Sequence, residues 1–400
     1  MYNKLTVSFI AITLISCNSN TNFKIGSINS QGGIGRTNSY EHIGSFVVQE
    51  ANNEITPGPD SLFGAIVPPL VISSYQTVVA TSNGTISQLN SSRIEWRTKL
   101  DDDAFVCSGM CADVQRNIYC SSSDGHLYSF SSDGKLRFKT TFSDSKNLIC
   151  SDLLMLTDGI VLADGGGVFT KISVDGKILW SWISSLPTLP TFCADETGSI
   201  YAAITHNDYT NSDTLIKISS SGICIWKAVF PSMRILEAPI VYNNRVIVGV
   251  ISQGNSPEIV ECSSQGQIIR TIPLRATPRG LSIAVDGCIY CVGYNSGLGE
   301  TQSVIQAFSV EGKELWYLKL GCKLSSSILI GTDNIALIGS KGMAIAVYLL
   351  HKTGTLDNFL SLDSAPSLLY QPAVAPDGSI VFAGNSIGCL TRVGRKKGLF

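Results

Sequence analysis

One phrase recurs along the chain, and it limits the fold more than any other feature. Ser309-Val310-Glu311-Gly312-Lys313-Glu314-Leu315-Trp316 restates Ser173-Val174-Asp175-Gly176-Lys177-Ile178-Leu179-Trp180. Looser copies end at Phe138 (Ser131-Ser132-Asp133-Gly134-Lys135-Leu136-Arg137-Phe138) and at Trp226 (Ser220-Ser221-Gly222-Ile223-Cys224-Ile225-Trp226). Trp96 closes a similar stretch after Ser91-Ser92-Arg93-Ile94-Glu95. The anchors Trp96, Phe138, Trp180, Trp226 and Trp316 are separated by 42, 42, 46 and 90 residues, and Arg270 stands midway in the last interval. A period of this size is the mark of a repeat array.

Each repeat resolves into short strands. A second strand is legible eight times, from Thr77-Val78-Val79-Ala80 through Cys288-Ile289-Tyr290-Cys291 to Ser379-Ile380-Val381-Phe382. A third strand follows each, as in Gly125-His126-Leu127-Tyr128-Ser129-Phe130. Asp-Gly or an equivalent joins the third strand to the fourth, where a tight hairpin needs the positive φ that glycine reaches freely. First strands carry proline in several copies, as in Pro68-Pro69-Leu70-Val71 and Ala238-Pro239-Ile240-Val241. Four-stranded meanders repeated radially make a β-propeller. The expected fold is therefore all-β, a propeller of about eight four-stranded blades.

Ala284-Val285-Asp286-Gly287-Cys288-Ile289-Tyr290, followed by Ala307 to Trp316, resembles the repeat of the pyrroloquinoline-quinone-dehydrogenase-like (PQQ-like) propellers. Ala375-Pro376-Asp377-Gly378-Ser379-Ile380 matches the same opening. The resemblance covers roughly residues 62–400. It implies that Trp96, Phe138, Trp180, Trp226 and Trp316 dock each blade on its neighbour. Arg270 and Asn358 take the anchor position in two repeats, so looser junctions are expected there. A WD40 propeller is the rival, but no repeat ends in Trp-Asp. The last repeat runs out after Val393, and Ile43 to Glu50 has the length and alternation to supply its outer strand and close the ring.

The N-terminus reads separately. Lys4 precedes an apolar run from Leu5 to Ile15 that is too short to span a bilayer, and Ser16-Cys17 ends it. This resembles the bacterial lipoprotein signal, which implies lipid on Cys17. Asn18 follows, rather than the aspartate that retains many lipoproteins in the inner membrane, so an outer-membrane location is expected. The resulting division is 1–17 signal peptide, 18–42 flexible tether rich in Ser, Asn and Gly, and 43–400 propeller.

Charge and chemistry narrow the function. Net charge is −2, with only 15% charged residues, which argues against nucleic acid as a partner. The twelve cysteines include no adjacent pair, and adjacency is what the quinone enzymes of the resembling family show. Cys120 and Cys291 occupy one repeat position, as do Cys111 and Cys193, which suits small buried hydrophobes. Cys288 and Cys291, three apart on a strand, face opposite ways. The histidines His42, His126, His206 and His351 form no metal-ligand spacing, and Asp101-Asp102-Asp103 is a loop too short to enclose calcium alone. No catalytic residue, metal or cofactor is expected. Connections between second and third strands lengthen in the fourth to sixth repeats, which makes His206, Tyr209, Asn255 and Tyr294 the candidate partner-binding rim. The expectation is a non-catalytic, membrane-anchored scaffold that binds an envelope protein and is monomeric on its own. In architecture it resembles the lipoprotein scaffold of outer-membrane barrel assembly. The alternatives are a channel-sited enzyme or ligand receptor, and a surface-exposed adhesin-like lipoprotein.

Overall fold

The computed structural model describes residues 27–29, 51–54 and, apart from connecting segments such as 144–150, 185–191, 206–211, 296–301, 363–371 and 384–389, residues 67–393. The described residues form eight separate sheets of four or five strands and no helix. Each sheet is a blade whose strands run in chain order from the axis outwards. Blade 3 shows the plan: Leu154–Leu156, Gly159–Ala163, Val168–Ile172 and Ile178–Ile183, all antiparallel.

The blades hold together through apolar clusters between neighbouring sheets. Cys111, Tyr119 and Leu127 of blade 2 meet Met155, Ile160 and Leu162 of blade 3. Eight such clusters account for the eight junctions. The last joins Val71, Val79 and Leu89 of blade 1 to Ala373, Ala375 and Val381 of blade 8, so the ring is closed. This explains why the middle strands read as continuous apolar runs: both of their faces are covered, as in Gly159–Ala163, buried throughout.

Blade 8 is completed from the N-terminus, but by a later segment than the alternation of Ile43 to Glu50 suggests. Ala51–Glu54 pairs antiparallel with Leu390–Val393, from Ala51 opposite Val393 to Glu54 opposite Leu390. Residues 43–50 lie outside the described residues. An outer strand is held by its backbone ladder and needs no apolar alternation, so a polar Ala-Asn-Asn-Glu segment serves. Within the stretch read as tether, Ser27–Asn29 forms a fifth strand of blade 2, pairing with Cys111–Asp113 on its axial side. Removing residues 1–54 is expected to leave Leu390–Val393 as a bare edge. The melting temperature should fall by several degrees relative to a chain lacking only residues 1–26, measured by circular dichroism.

The blades are not equal in height. Second and third strands have eight residues each in blade 5 (Arg245–Ser252, Ser256–Ser263) and blade 7 (Asn334–Lys341, Ala344–His351). They have five each in blades 3 and 4. At roughly 3.3 Å per residue, the taller blades rise about 10 Å further on one face. Inner segments follow them upward: Met233–Ile235 pairs with Arg245–Ser252 above Ile240–Tyr242, and Lys323–Leu324 pairs with Asn334–Lys341 above Leu329–Ile330.

Candidate functional site: the outer strands and their exposed edges

The repeat phrase acts at the blade junctions. Its glycine closes the turn between third and fourth strands, with φ between +80° and +87° at Gly134, Gly176, Gly222, Gly266, Gly312 and Gly354. The aromatic of the preceding blade lies over five of these glycines, and Ile272 and Arg270 lie over Gly312. A methyl group on Gly134 would stand 2.6 Å from Trp96, and one on Gly222 2.7 Å from Trp180. The indole N–H donates to the carbonyl two residues before the glycine: Trp96 to Ser132 (3.0 Å), Trp180 to Ser220 (2.9 Å), Trp226 to Ser264 (2.9 Å) and Trp316 to Lys352 (2.7 Å). Phe138 has no such donor, and the adjacent Arg137 supplies one, from Nη2 to the Val174 carbonyl at 3.3 Å.

Arg270 departs from the expected loose junction. Its Nη2 donates to the Val310 carbonyl at 2.5 Å, two residues before Gly312, which is the tryptophan's bond made by a guanidinium. Its Nε meets Glu261 Oε2 at 2.5 Å, and Arg245 Nη1 meets Oε1 at 2.6 Å. Glu261 is buried and lies opposite Arg270 in the ladder. The polar anchor is therefore matched by a buried carboxylate, and the junction keeps its cross-blade bond. Asn358 lies opposite Leu349 in register; its side chain is outside the described residues.

Other buried charges support the same belt. Lys171 is almost fully buried and donates to Asp158 (2.7 Å) and to the Ser220 carbonyl (3.1 Å) that also receives Trp180. In blade 4, Asp195 accepts from Tyr201 (2.9 Å) and pairs with Lys217 (3.0 Å). Burial works against its charge, yet the hydrogen bonds from Thr197, Lys217 and Tyr201 hold its carboxyl below the usual range. Burial, with Asp195 beside it, pushes the Tyr201 hydroxyl far up. These groups are spent on each other and present no free acid, base or nucleophile.

Of the four residues expected to form a binding rim, the structure describes Asn255 and Tyr294. His206 and Tyr209 lie outside the described residues. Asn255 sits in a tight hairpin turn with φ of +63°, beside Gly254, and its N–H bonds the Ser252 carbonyl at 3.0 Å. Tyr294 is part of the strand Ile289–Asn295, half-buried, and donates to the Leu324 carbonyl of blade 7. Burial raises its pKa. It braces two tall blades. The ends of what reads as loop are strand: Ser252 and Ser256 in blade 5, and Gly293 to Asn295 in blade 6. No group of three or more potential metal ligands occurs among the described residues, and the nine described cysteines are all free thiols.

What remains exposed is the outermost strand of each blade, and there the molecule is uneven. Blade 1 presents Arg93, Glu95, Arg97 and Lys99, and blade 2 presents Arg137 and Lys139. Blades 3 to 6 present aliphatic and aromatic side chains, Leu179 and Ile183, Ile225 and Val229, Ile268 and Ile269, Leu315 and Tyr317, with Lys227 between the pair of blade 4 and Lys319 beside Tyr317; Leu136 of blade 2 and Leu356 and Phe359 of blade 7 are exposed as well. Ile183 is 71% exposed and Val229 58%, so these side chains have no partner blade over them. Exposed apolar groups on sheet edges are the material of an interaction surface.

Solved structures share this architecture. BamB from Moraxella catarrhalis aligns over 87% of this chain and 99% of its own, with TM-score 0.61 and 14% identity. The computationally designed Ika8 protein aligns over 85% and 98%, with TM-score 0.65 and 12% identity. The Dos1 propeller aligns over 84% and 97%, with TM-score 0.58 and 13% identity. The likeness is one of fold. No protein-family model and no curated protein matches the sequence.

The edge surface was open to sequence reasoning in principle. The residue after each anchor is Arg97, Lys139, Ser181, Lys227, Thr271 and Tyr317. That series differs sharply between copies, whereas the anchors beside it hardly vary. Weighing only the anchors and the loops passed over it.

Proposed function

We propose that the protein is a non-catalytic propeller scaffold that binds another protein of the cell envelope through the apolar side chains on the outer strands of blades 4 to 6. One observation carries the reading: the exposed aliphatic side chains Ile225, Val229 and Ile269, set against the charged edges of blades 1 and 2. Burying such groups is the main favourable term in association. Internal pairing of the buried ionisable side chains supports a role without catalysis. The Leu5–Cys17 signal and the likeness in fold to BamB support anchoring by lipid on Cys17 at the outer membrane. A lipid-held disc would keep its edges available to a neighbour.

A photo-crosslinking residue placed at Ile225 or Ile269 in living cells tests this. Both positions are expected to trap the same envelope protein, and Lys99 on the charged edge of blade 1 is not. Equal capture from all three positions would overturn the proposal.

A further inference from the structure

Outer strands of open sheets are hazards, because their outward amides and carbonyls can pair with another chain. Hydrogen bonding between third and fourth strands shows which residues turn outward. In blade 3, Ser184 donates to the Gly167 carbonyl, and the ladder sets Ile183 opposite Val168 and Ser181 opposite Thr170. Antiparallel residues alternate between bonded and non-bonded pairs. Trp180 and Trp182 therefore bond inward, while Ser181 and Ile183 turn their backbone groups outward. The same bond recurs as Leu100 to Gly84, Phe142 to Gly125, Phe230 to Asp213 and Leu274 to Pro257. The central outward residue is thus Arg97 in blade 1, Lys139 in blade 2, Ser181 in blade 3, Lys227 in blade 4 and Thr271 in blade 5.

These edges are guarded in every case but one. Arg97, Lys139 and Lys227 put a cation at the centre of the outward row. Pro273 removes a donor from the edge of blade 5, Glu314 and Lys319 charge blade 6, and Asp357 charges blade 7. The strand Ile178–Ile183 has neither charge nor proline. Among the described strands at the outer margin of a blade, it is the only uncharged one.

We propose that Ile178–Ile183 pairs antiparallel with the same strand of a second copy, about a twofold axis through Ser181. Pairing a strand with itself sets its central residue against its own copy. For blades 2 and 4 this would oppose two lysines, and for blade 1 two arginines, which is destabilising. In blade 3 it sets Ser181 against Ser181 and Leu179 against Ile183, a neutral pair flanked by two aliphatic pairs. The outward backbone groups of Ser181 and Ile183 fall in the phase this register needs. An isologous contact of this kind closes as a dimer and cannot propagate. The pairing involves only this chain and does not depend on the heterologous partner proposed above. It differs from the expectation of a monomer.

Sedimentation equilibrium on the purified full chain is expected to give the dimer mass. Ser181→Lys copies the residue native to blades 2 and 4 and should weaken the dimer at least tenfold, without lowering the melting temperature. Facing Cα atoms of a bonded antiparallel pair lie about 5.5 Å apart, within the range of about 4.4–6.8 Å that a disulfide spans. Ser181→Cys should therefore crosslink two chains under mild oxidation, whereas wild type and Leu179→Cys should not. A monomeric wild type, an unchanged Ser181→Lys dimer, or equal crosslinking by Ser181→Cys and Leu179→Cys would overturn the proposal. If Ser181→Lys fails to fold, the cysteine pair decides it.

Discussion

Replacing Arg270 by tryptophan, the residue that four other repeats carry there, is expected to destabilise the protein by about 3 kcal/mol. The indole would restore the cross-blade hydrogen bond and add apolar contact over Gly312. It would also strip Glu261 of one of its two cations. Glu261 is 1% exposed, so its remaining charge must rest on Arg245, whose side chain is 43% exposed. A buried carboxylate with half its partners costs more than the indole returns. The remedy is visible in blade 1, where neutral Gln88 lies opposite Trp96. Adding Glu261→Gln to Arg270→Trp should recover stability to within about 1 kcal/mol of wild type, since the buried charge is then gone. Urea unfolding of the two singles and the double measures this. An Arg270→Trp variant as stable as wild type would show that the pair with Glu261 contributes nothing.

Trp180→Ala is expected to cost about 3–5 kcal/mol, the range for deleting a large aromatic from a packed contact. The loss has three parts: apolar area against blade 4, the bond to the Ser220 carbonyl, and the cover over Gly222. Gly222→Ala attacks the same contact from the other side. Its φ of +84° is unfavourable to any L side chain, and the new methyl would stand 2.7 Å from the indole. The combined penalty is about 2–4 kcal/mol. Once Trp180 is alanine the steric part disappears, and Gly222→Ala should cost only about 1–2 kcal/mol. The two changes are therefore strongly non-additive. Simple addition in a double-mutant cycle by denaturant unfolding would mean that indole and glycine do not meet.

The fold was largely legible because repetition amplifies weak signals. One Asp-Gly turn or one tryptophan says little, but the same pair at a step of 42 to 46 residues specifies a unit, its length and its neighbour. Patterning failed where the structure does not depend on side-chain type. The closing strand Ala51–Glu54 is defined by backbone pairing, so the more strand-like Ile43 to Glu50 was the natural choice. The end of the blade 6 strand Ile289–Asn295 reads as loop because Gly293, Tyr294 and Asn295 resemble a turn. Gly293 is there for close approach: a methyl on it would lie 2.9 Å from Ala276 and from the Thr277 carbonyl.

By itself the sequence determined the repeat, its hairpin glycines and its aromatic anchors. Those properties follow from local chemistry, since φ, apolar periodicity and residue type are readable one segment at a time. Only the tertiary structure decided what Arg270 does, because its partners Glu261 and Val310 lie 9 and 40 residues away. It also decided which outer strands are guarded. Whether a residue turns its backbone inward or outward depends on the ladder to the neighbouring strand, and no spacing along the chain displays that phase. The edge of blade 3 stands out as uncharged only against all the other outer strands around the ring.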